Sequence, residues 1–197
     1  MHMVKHAFIL LVSAALWQSC GNAPQQQNKQ DSSATAATGA TRGIWSNEQA
    51  KTWYAKQPWL VGSNFTPSTA INQLEMWQAE TFDTATINRE LGWAASLGMN
   101  TARVFLHDLV WQDSTAFLSR IDVFLQIADK HKIKPLFVLF DSVWDPFPKA
   151  GKQREPRPHV HNSGWVQGPG IPALKDSTQY PRLEAYVKGV VGKFAND

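Results

Sequence analysis

Arg103 stands in the middle of an apolar run, Gly98-Met99-Asn100-Thr101-Ala102-Arg103-Val104-Phe105-Leu106, which ends in the pair His107-Asp108. A guanidinium stays protonated in a protein, so one embedded in a buried strand must meet an anion or a set of acceptors. Two readings are open from this pattern alone: a structural ion pair, or an anion-facing group in a ligand site. Other polar side chains stand at comparable places. Asn64 follows the apolar run at 59–63, and Asp141 and Trp144 follow the run at 134–140. Carboxylates of this kind can serve as acid and base, but nothing in their spacing along the chain makes a hydrolytic pair. His107, Asp108, Asp141 and Asn64 therefore read as hydrogen-bonding residues for hydroxyl-rich ligands ahead of catalytic ones. Trp77, Trp111, Trp144 and Trp165 lie in expected loops, where flat apolar rings suit the C–H faces of sugars. Packing is the competing explanation for each of them, and Trp93, inside a helical pattern, reads as structural. His159 and His161 could share one face of a strand, but without a third ligand at suitable spacing they make no metal centre. The sequence implies no cofactor.

These groups need elements to hold them. Ser46 followed by Gln49 forms a capping box that opens a short helix to about residue 56, closed by Pro58. An apolar strand is expected at 59–63. Asp83 can cap a helix in which Ile87, Leu91, Ala94 and Leu97 recur at helical spacing before Gly98. The second strand covers 101–106. Asp113 or Ser114 opens the next helix, with Phe117, Ile121, Phe124, Leu125 and Ala128 along one side. Residues 134–140 make the third strand, apolar on both faces as buried parallel strands are. A loop longer than 30 residues follows, rich in Pro, Gly, Trp and His, and loops of that length are usually functional. A last helix is expected over about 180–194. Alternating strands and helices argue for an α/β fold with a parallel sheet, doubly wound or barrel. No glycine-rich phosphate loop follows a strand, which leaves nucleotide binding without support.

The chain has 197 residues, 43% of them hydrophobic, with 9 Trp and 10 Phe, enough to build a core in one domain or part of one. Nineteen basic against 16 acidic residues, a net charge of +3 with no long Lys/Arg run, give no basis for nucleic-acid binding. Lys5 and His6 precede a continuous apolar stretch from 7 to 16 broken only by Ser13, too short to span a bilayer comfortably. The single cysteine, Cys20, follows at once, within Leu16-Trp17-Gln18-Ser19-Cys20-Gly21. This layout resembles a bacterial lipoprotein signal over residues 1–19, which implies lipidation of Cys20 and a lipid-anchored place in the cell envelope. From 20 to 43 the composition turns to Gln, Asn, Ser, Thr, Ala and Gly. That is a solvated tether with a root-mean-square reach of roughly 25 Å. The folded part should begin near Ile44.

Gly98-Met99-Asn100-Thr101-Ala102-Arg103 is similar to the "GxNxxR" second strand of the large clan of retaining glycoside hydrolases that includes family 5 cellulases and mannanases. Residues 59–64 resemble that clan's opening strand, and Phe140-Asp141-Ser142-Val143-Trp144-Asp145 its third strand and loop. The resemblance covers 44–197 and implies the first three βα units of a (β/α)8 TIM barrel, with Arg103 supporting the nucleophile. It also implies that Asn64, His107, Asp108, Trp111, Asp141, Trp144 and Trp165 bind substrate, a β-linked polysaccharide or oligosaccharide. In that clan the acid/base glutamate follows an asparagine at the end of the fourth strand and the nucleophile ends the seventh. Neither has a counterpart in this span. A full barrel takes about 250 residues, so the chain is expected to be an N-terminal fragment with little activity alone. The alternative is a non-catalytic carbohydrate-binding lipoprotein that uses the same tryptophans.

Overall fold

The computed structural model describes residues 44–195. The expected signal, Cys20 and the tether lie outside the described residues. Residues 51–197 form one compact unit, and of the other, residues 1–50, positions 44–50 are described. The first helix, α1 (Asn47–Ala55), starts with the reciprocal box that its sequence predicts: Gln49 N–H donates to Ser46 Oγ at 3.2 Å, and Ser46 N–H to Gln49 Oε1 at 2.8 Å.

Three short strands follow, β1 (Gly62–Phe65), β2 (Thr101–Phe105) and β3 (Lys134–Val138), paired in parallel in the order β1-β2-β3. Asn64 lies opposite Arg103, which lies opposite Leu136; the next row is Phe65, Val104 and Phe137. The fold is thus mixed α/β around a small open parallel sheet. Ladder pairing begins later than the expected 59–63 because a side chain takes the earlier backbone groups. Asn100 accepts the Val61 N–H at 2.8 Å and donates to the Trp59 carbonyl at 2.8 Å.

The connections run through α2 (Gln73–Trp77) and α3 (Thr84–Ser96) before β2, and through a 3-10 turn (Asp108–Asp113) and α4 (Ser114–Lys130) before β3. Local chemistry sets their ends. Asp83 accepts from Thr86 N–H at 3.0 Å, and Asp113 from Ala116 N–H at 3.1 Å. At the C-terminus of α3, Gly98 takes φ +86°, its N–H bonds Ala95 O, and the Met99 N–H reaches back to Ala94 O. This pairing satisfies orphan carbonyls and needs a left-handed residue. The end of α4 repeats it, but with Lys132 at φ 57° in the left-handed place. After a long loop, α5 (Ile171–Lys175) and α6 (Tyr180–Phe194) complete the chain.

Helices cover one face of the sheet. Trp77 sits fully buried at the centre of that layer, with the rings of Phe117, Phe124 and Phe82 at 5.9, 5.5 and 5.8 Å, and its indole N–H donates to the Phe105 carbonyl at 2.8 Å. Phe65 and Phe137 pack there from the sheet, each about 6 Å from Phe124. The opposite face carries Asn64, Arg103 and Leu136, all exposed. Three expectations need correction. The third strand is not buried on both faces, because Leu136 is 61% exposed. Trp77 is core and does not wall a crevice. Trp93 is 58% exposed, with the Arg89 guanidinium 5.3 Å from its ring, and does not belong to the core.

Candidate functional site

β2 leads into His107 and Asp108, and neither faces open space: their side chains are 0% and 1% exposed. Leu109 N–H donates to His107 Nδ1 at 3.2 Å, which leaves the ring proton on Nε2, 3.0 Å from the Gln167 carbonyl. Burial holds the imidazole below its ordinary value of 6.5, against the opposing pull of Asp108. Asp108 is met by Arg182 from α6, with Nη2 at 2.8 Å from Oδ2 and Nη1 at 3.1 Å from the Asp108 carbonyl. Trp111 packs edge-on to Tyr186 at 5.9 Å. A Cβ at Gly189 would come within 2.1 Å of the Trp111 ring, which explains a glycine inside α6. Tyr186 donates to the Leu139 carbonyl at 3.1 Å, and burial pushes its hydroxyl far above the ordinary phenol range. His107, Asp108 and Trp111 therefore fasten α6 and the long loop to the sheet.

The group that does open outward lies at the end of β3 and on the bare face. Asp141 is half-buried. Its Oδ1 accepts the Gly168 N–H at 2.8 Å, its own N–H donates to Gly168 O at 2.6 Å, and Gln73 Nε2 approaches Oδ2 at 3.4 Å. Desolvation raises its carboxyl above the ordinary 3.8, opposed in order by Gly168, by a Trp144 hydrogen bond and by the Arg103 charge. Arg103 is not a buried charge in a strand core, as its apolar neighbours predict. It is exposed and lies over the Phe105 ring at 4.6 Å. Phe105 in turn meets Trp165 edge-on at 5.2 Å, and Trp165 meets Trp144 at 5.5 Å. Arg103, Asp141, Trp144 and Trp165 are thus brought together around one aromatic cluster. Asn64 stands beside Arg103 on the open face, where the two help line a cavity of about 970 Å³ with Tyr54, Trp59, Lys134 and Leu136.

Sequence reasoning missed the residues that anchor this cluster. Asn72 caps the five-residue α2, and Gln73 is its first residue. Both are buried amides that reach into the long loop. Asn72 Nδ2 donates to Gly164 O at 2.9 Å, and Gln73 Nε2 to Val166 O at 2.5 Å. A helix this short leaves no periodic trace. The one available hint was a pair of amides directly ahead of Leu74 and Trp77.

Chemically, the cluster offers flat rings, one guanidinium, and one carboxyl whose ionisation is discouraged. That set can stack a ring and hydrogen-bond its hydroxyls. Among the described residues no group of three or more His, Cys, Asp or Glu gathers as a metal site. His159 and His161 are both exposed in the long loop. Compared with known proteins, the chain matches no family model, no curated protein and no solved structure.

Proposed function

We propose that this chain is the N-terminal part of a lipid-anchored retaining glycoside hydrolase of the bacterial cell envelope, acting on a β-linked polysaccharide. The observation that carries the reading is the uncovered face of the parallel sheet. Parallel sheets are ordinarily buried on both faces, yet here Asn64, Arg103 and Leu136 stand open in one row. The inner face of an unfinished (β/α)8 barrel would look like this, with helices on the outside and ligand groups at the C-terminal strand ends. In that reading, Arg103 keeps a nucleophile carboxylate ionised. Asn64 and Asp141 hydrogen-bond sugar hydroxyls, and Trp144 and Trp165 stack sugar faces. His107, Asp108 and Trp111 serve from behind. The two glutamates that would attack and protonate the glycosidic bond belong to strands beyond the third.

Hydrolysis of a panel of xylan, mannan and mixed-linkage glucan tests the reading, with the 197-residue chain compared with the product of the full reading frame. The longer protein should release reducing ends with retained anomeric configuration, and the 197-residue chain should bind without turnover. Arg103→Ala in the longer protein should lower turnover more than affinity. Binding by both without turnover favours the carbohydrate-binding lipoprotein. No interaction with any β-linked polysaccharide would sink both. Fatty-acid labelling that persists in Cys20→Ser would remove the anchor.

A further inference from the structure

Residues 164–168 of the long loop are held by side chains from α2 and from the ends of β2 and β3, beside a backbone bridge in which Asp145 donates to the Trp165 carbonyl at 3.3 Å and accepts the Gln167 N–H at 2.8 Å. Asn72 and Gln73, from the β1 connection, hold the carbonyls of Gly164 and Val166. His107, at the end of β2, holds the carbonyl of Gln167. Asp141, at the end of β3, accepts the amide of Gly168 and returns its own N–H to the Gly168 carbonyl. The segment is buried except for a half-buried Trp165. Buried backbone carbonyls need donors, and an apolar residue at 107 would leave that of Gln167 without this one. Gln167 also lies between the two residues that matter to the aromatic cluster. Trp165, on one side, packs on Phe105, and Gly168, on the other, bonds the Asp141 carboxylate.

We propose that His107 is a positioning residue of the Asp141 and Trp165 site. It never touches the ligand; its Nε2–H fixes Gln167, and through it the strap that presents the Trp165 ring and delivers the Gly168 amide to Asp141. Sites held by such support lose function when the support loosens by about an ångström. The inference rests on the carbohydrate reading only for what the site binds.

Two variants of the full chain separate positioning from plain stability. In His107→Asn the amide reaches the place of Nδ1, beside the Leu109 N–H, and cannot reach Gln167. In His107→Gln the amide nitrogen reaches the place of Nε2 and can donate to Gln167. The measurements are hydrogen–deuterium exchange resolved to Gly168, the Asp141 carboxyl titration followed by ¹³C NMR, and retention in gels containing xylan or mixed-linkage glucan. The groups facing Asp141 are the Gly168 N–H, Trp144, Gln73, Arg103 and, from α6, the Tyr186 phenol. Loss of the Gly168 donor should therefore move its titration upward. His107→Asn should lose at least about tenfold of Gly168 protection, equivalent to about 1.4 kcal/mol, shift the Asp141 titration up and weaken polysaccharide retention. His107→Gln should bring all three back toward wild type. Unchanged protection and titration in His107→Asn overturn the proposal, as does a Gln variant no closer to wild type than the Asn variant. Should His107→Asn not fold, His107→Gln decides alone: wild-type protection of Gly168 supports the proposal and its loss overturns it. If wild type binds no polysaccharide while exchange and titration move as described, positioning stands and the carbohydrate reading is what fails.

Discussion

Asp108 and Asp141 are carboxylates 33 positions apart in sequence that meet burial in different ways. Asp108 is 1% exposed and answered by a full charge, the Arg182 guanidinium at 2.8 Å. Removing one partner of a buried pair leaves the other desolvated and uncompensated, at a cost of about 3 kcal/mol. Arg182→Met should therefore lower stability by about that much in urea titrations, and adding Asp108→Asn should recover a large part of it. A Met variant as stable as wild type would show that the pair contributes little. Asp141 instead has a raised carboxyl value, with desolvation as the largest cause. The sign follows from linkage: just above the ordinary 3.8 the unfolded chain has released this proton while the folded chain still holds it. Its contribution to stability is thus present at low pH and is lost as pH rises through the raised folded value. Asp141→Asn should remove that downward slope, seen by comparing urea midpoints of the two proteins from about pH 4 to 7. Identical slopes would mean that Asp141 titrates as it does unfolded.

At the scale of elements, α3 and α4 end in the same hydrogen-bonded turn, but with different residues in the left-handed position. Gly98 adopts φ +86° without steric penalty, whereas Lys132 at φ 57° carries a Cβ against the backbone. Lys132→Gly should stabilise by about 0.5–1 kcal/mol, since relief of αL strain there exceeds the entropy that glycine adds to the unfolded chain. Gly98→Ala should destabilise by about 1 kcal/mol for the converse reason. Thermal midpoints of the two variants check both signs together. A Lys132→Gly protein that melts lower would mean that the lysine side chain contributes more at this turn than its strain costs.

For the molecule as a whole, the decisive property is that helices cover one face of its sheet, while the other is open at Asn64, Arg103 and Leu136 and covered only at Phe105, where Trp165 packs. Phe137 and Leu136 are adjacent on β3 and point to opposite sides, so they report the two faces separately. Phe137 packs with Trp77 at 6.4 Å and Phe124 at 6.0 Å, and Phe137→Ala should cost about 3 kcal/mol. Leu136 is 61% exposed, and Leu136→Ala should stay within about 0.5 kcal/mol. Denaturation of the two variants over a range of protein concentrations provides the check. A large cost for Leu136→Ala that grows with concentration would show this face covered by another copy. Among the described residues no helix is long and apolar enough to cross a membrane.

What the sequence determined by itself is what depends on neighbours three or four residues apart. The caps at Asp83 and Asp113, the Ser46 and Gln49 box, the Gly98 stop and the buried stripe of Phe117, Ile121, Phe124 and Ala128 were all legible. So was the alternation that demands a parallel sheet. The site was legible only in part. Arg103, Asp141, Trp144 and Trp165 could be named from strand ends and loops, but not the company they keep. A tryptophan in a connection reads alike whether it will stack a ligand or, like Trp77, fill the core. His107 and Asp108 carry the same polar letters whether they face a crevice or a strap. Tertiary structure decided those roles through contacts that span 60 positions for His107 with Gln167, 68 for Gln73 with Asp141 and 74 for Asp108 with Arg182. No local periodicity encodes such pairings, because they arise only when the packed helices have already chosen which face of the sheet to cover.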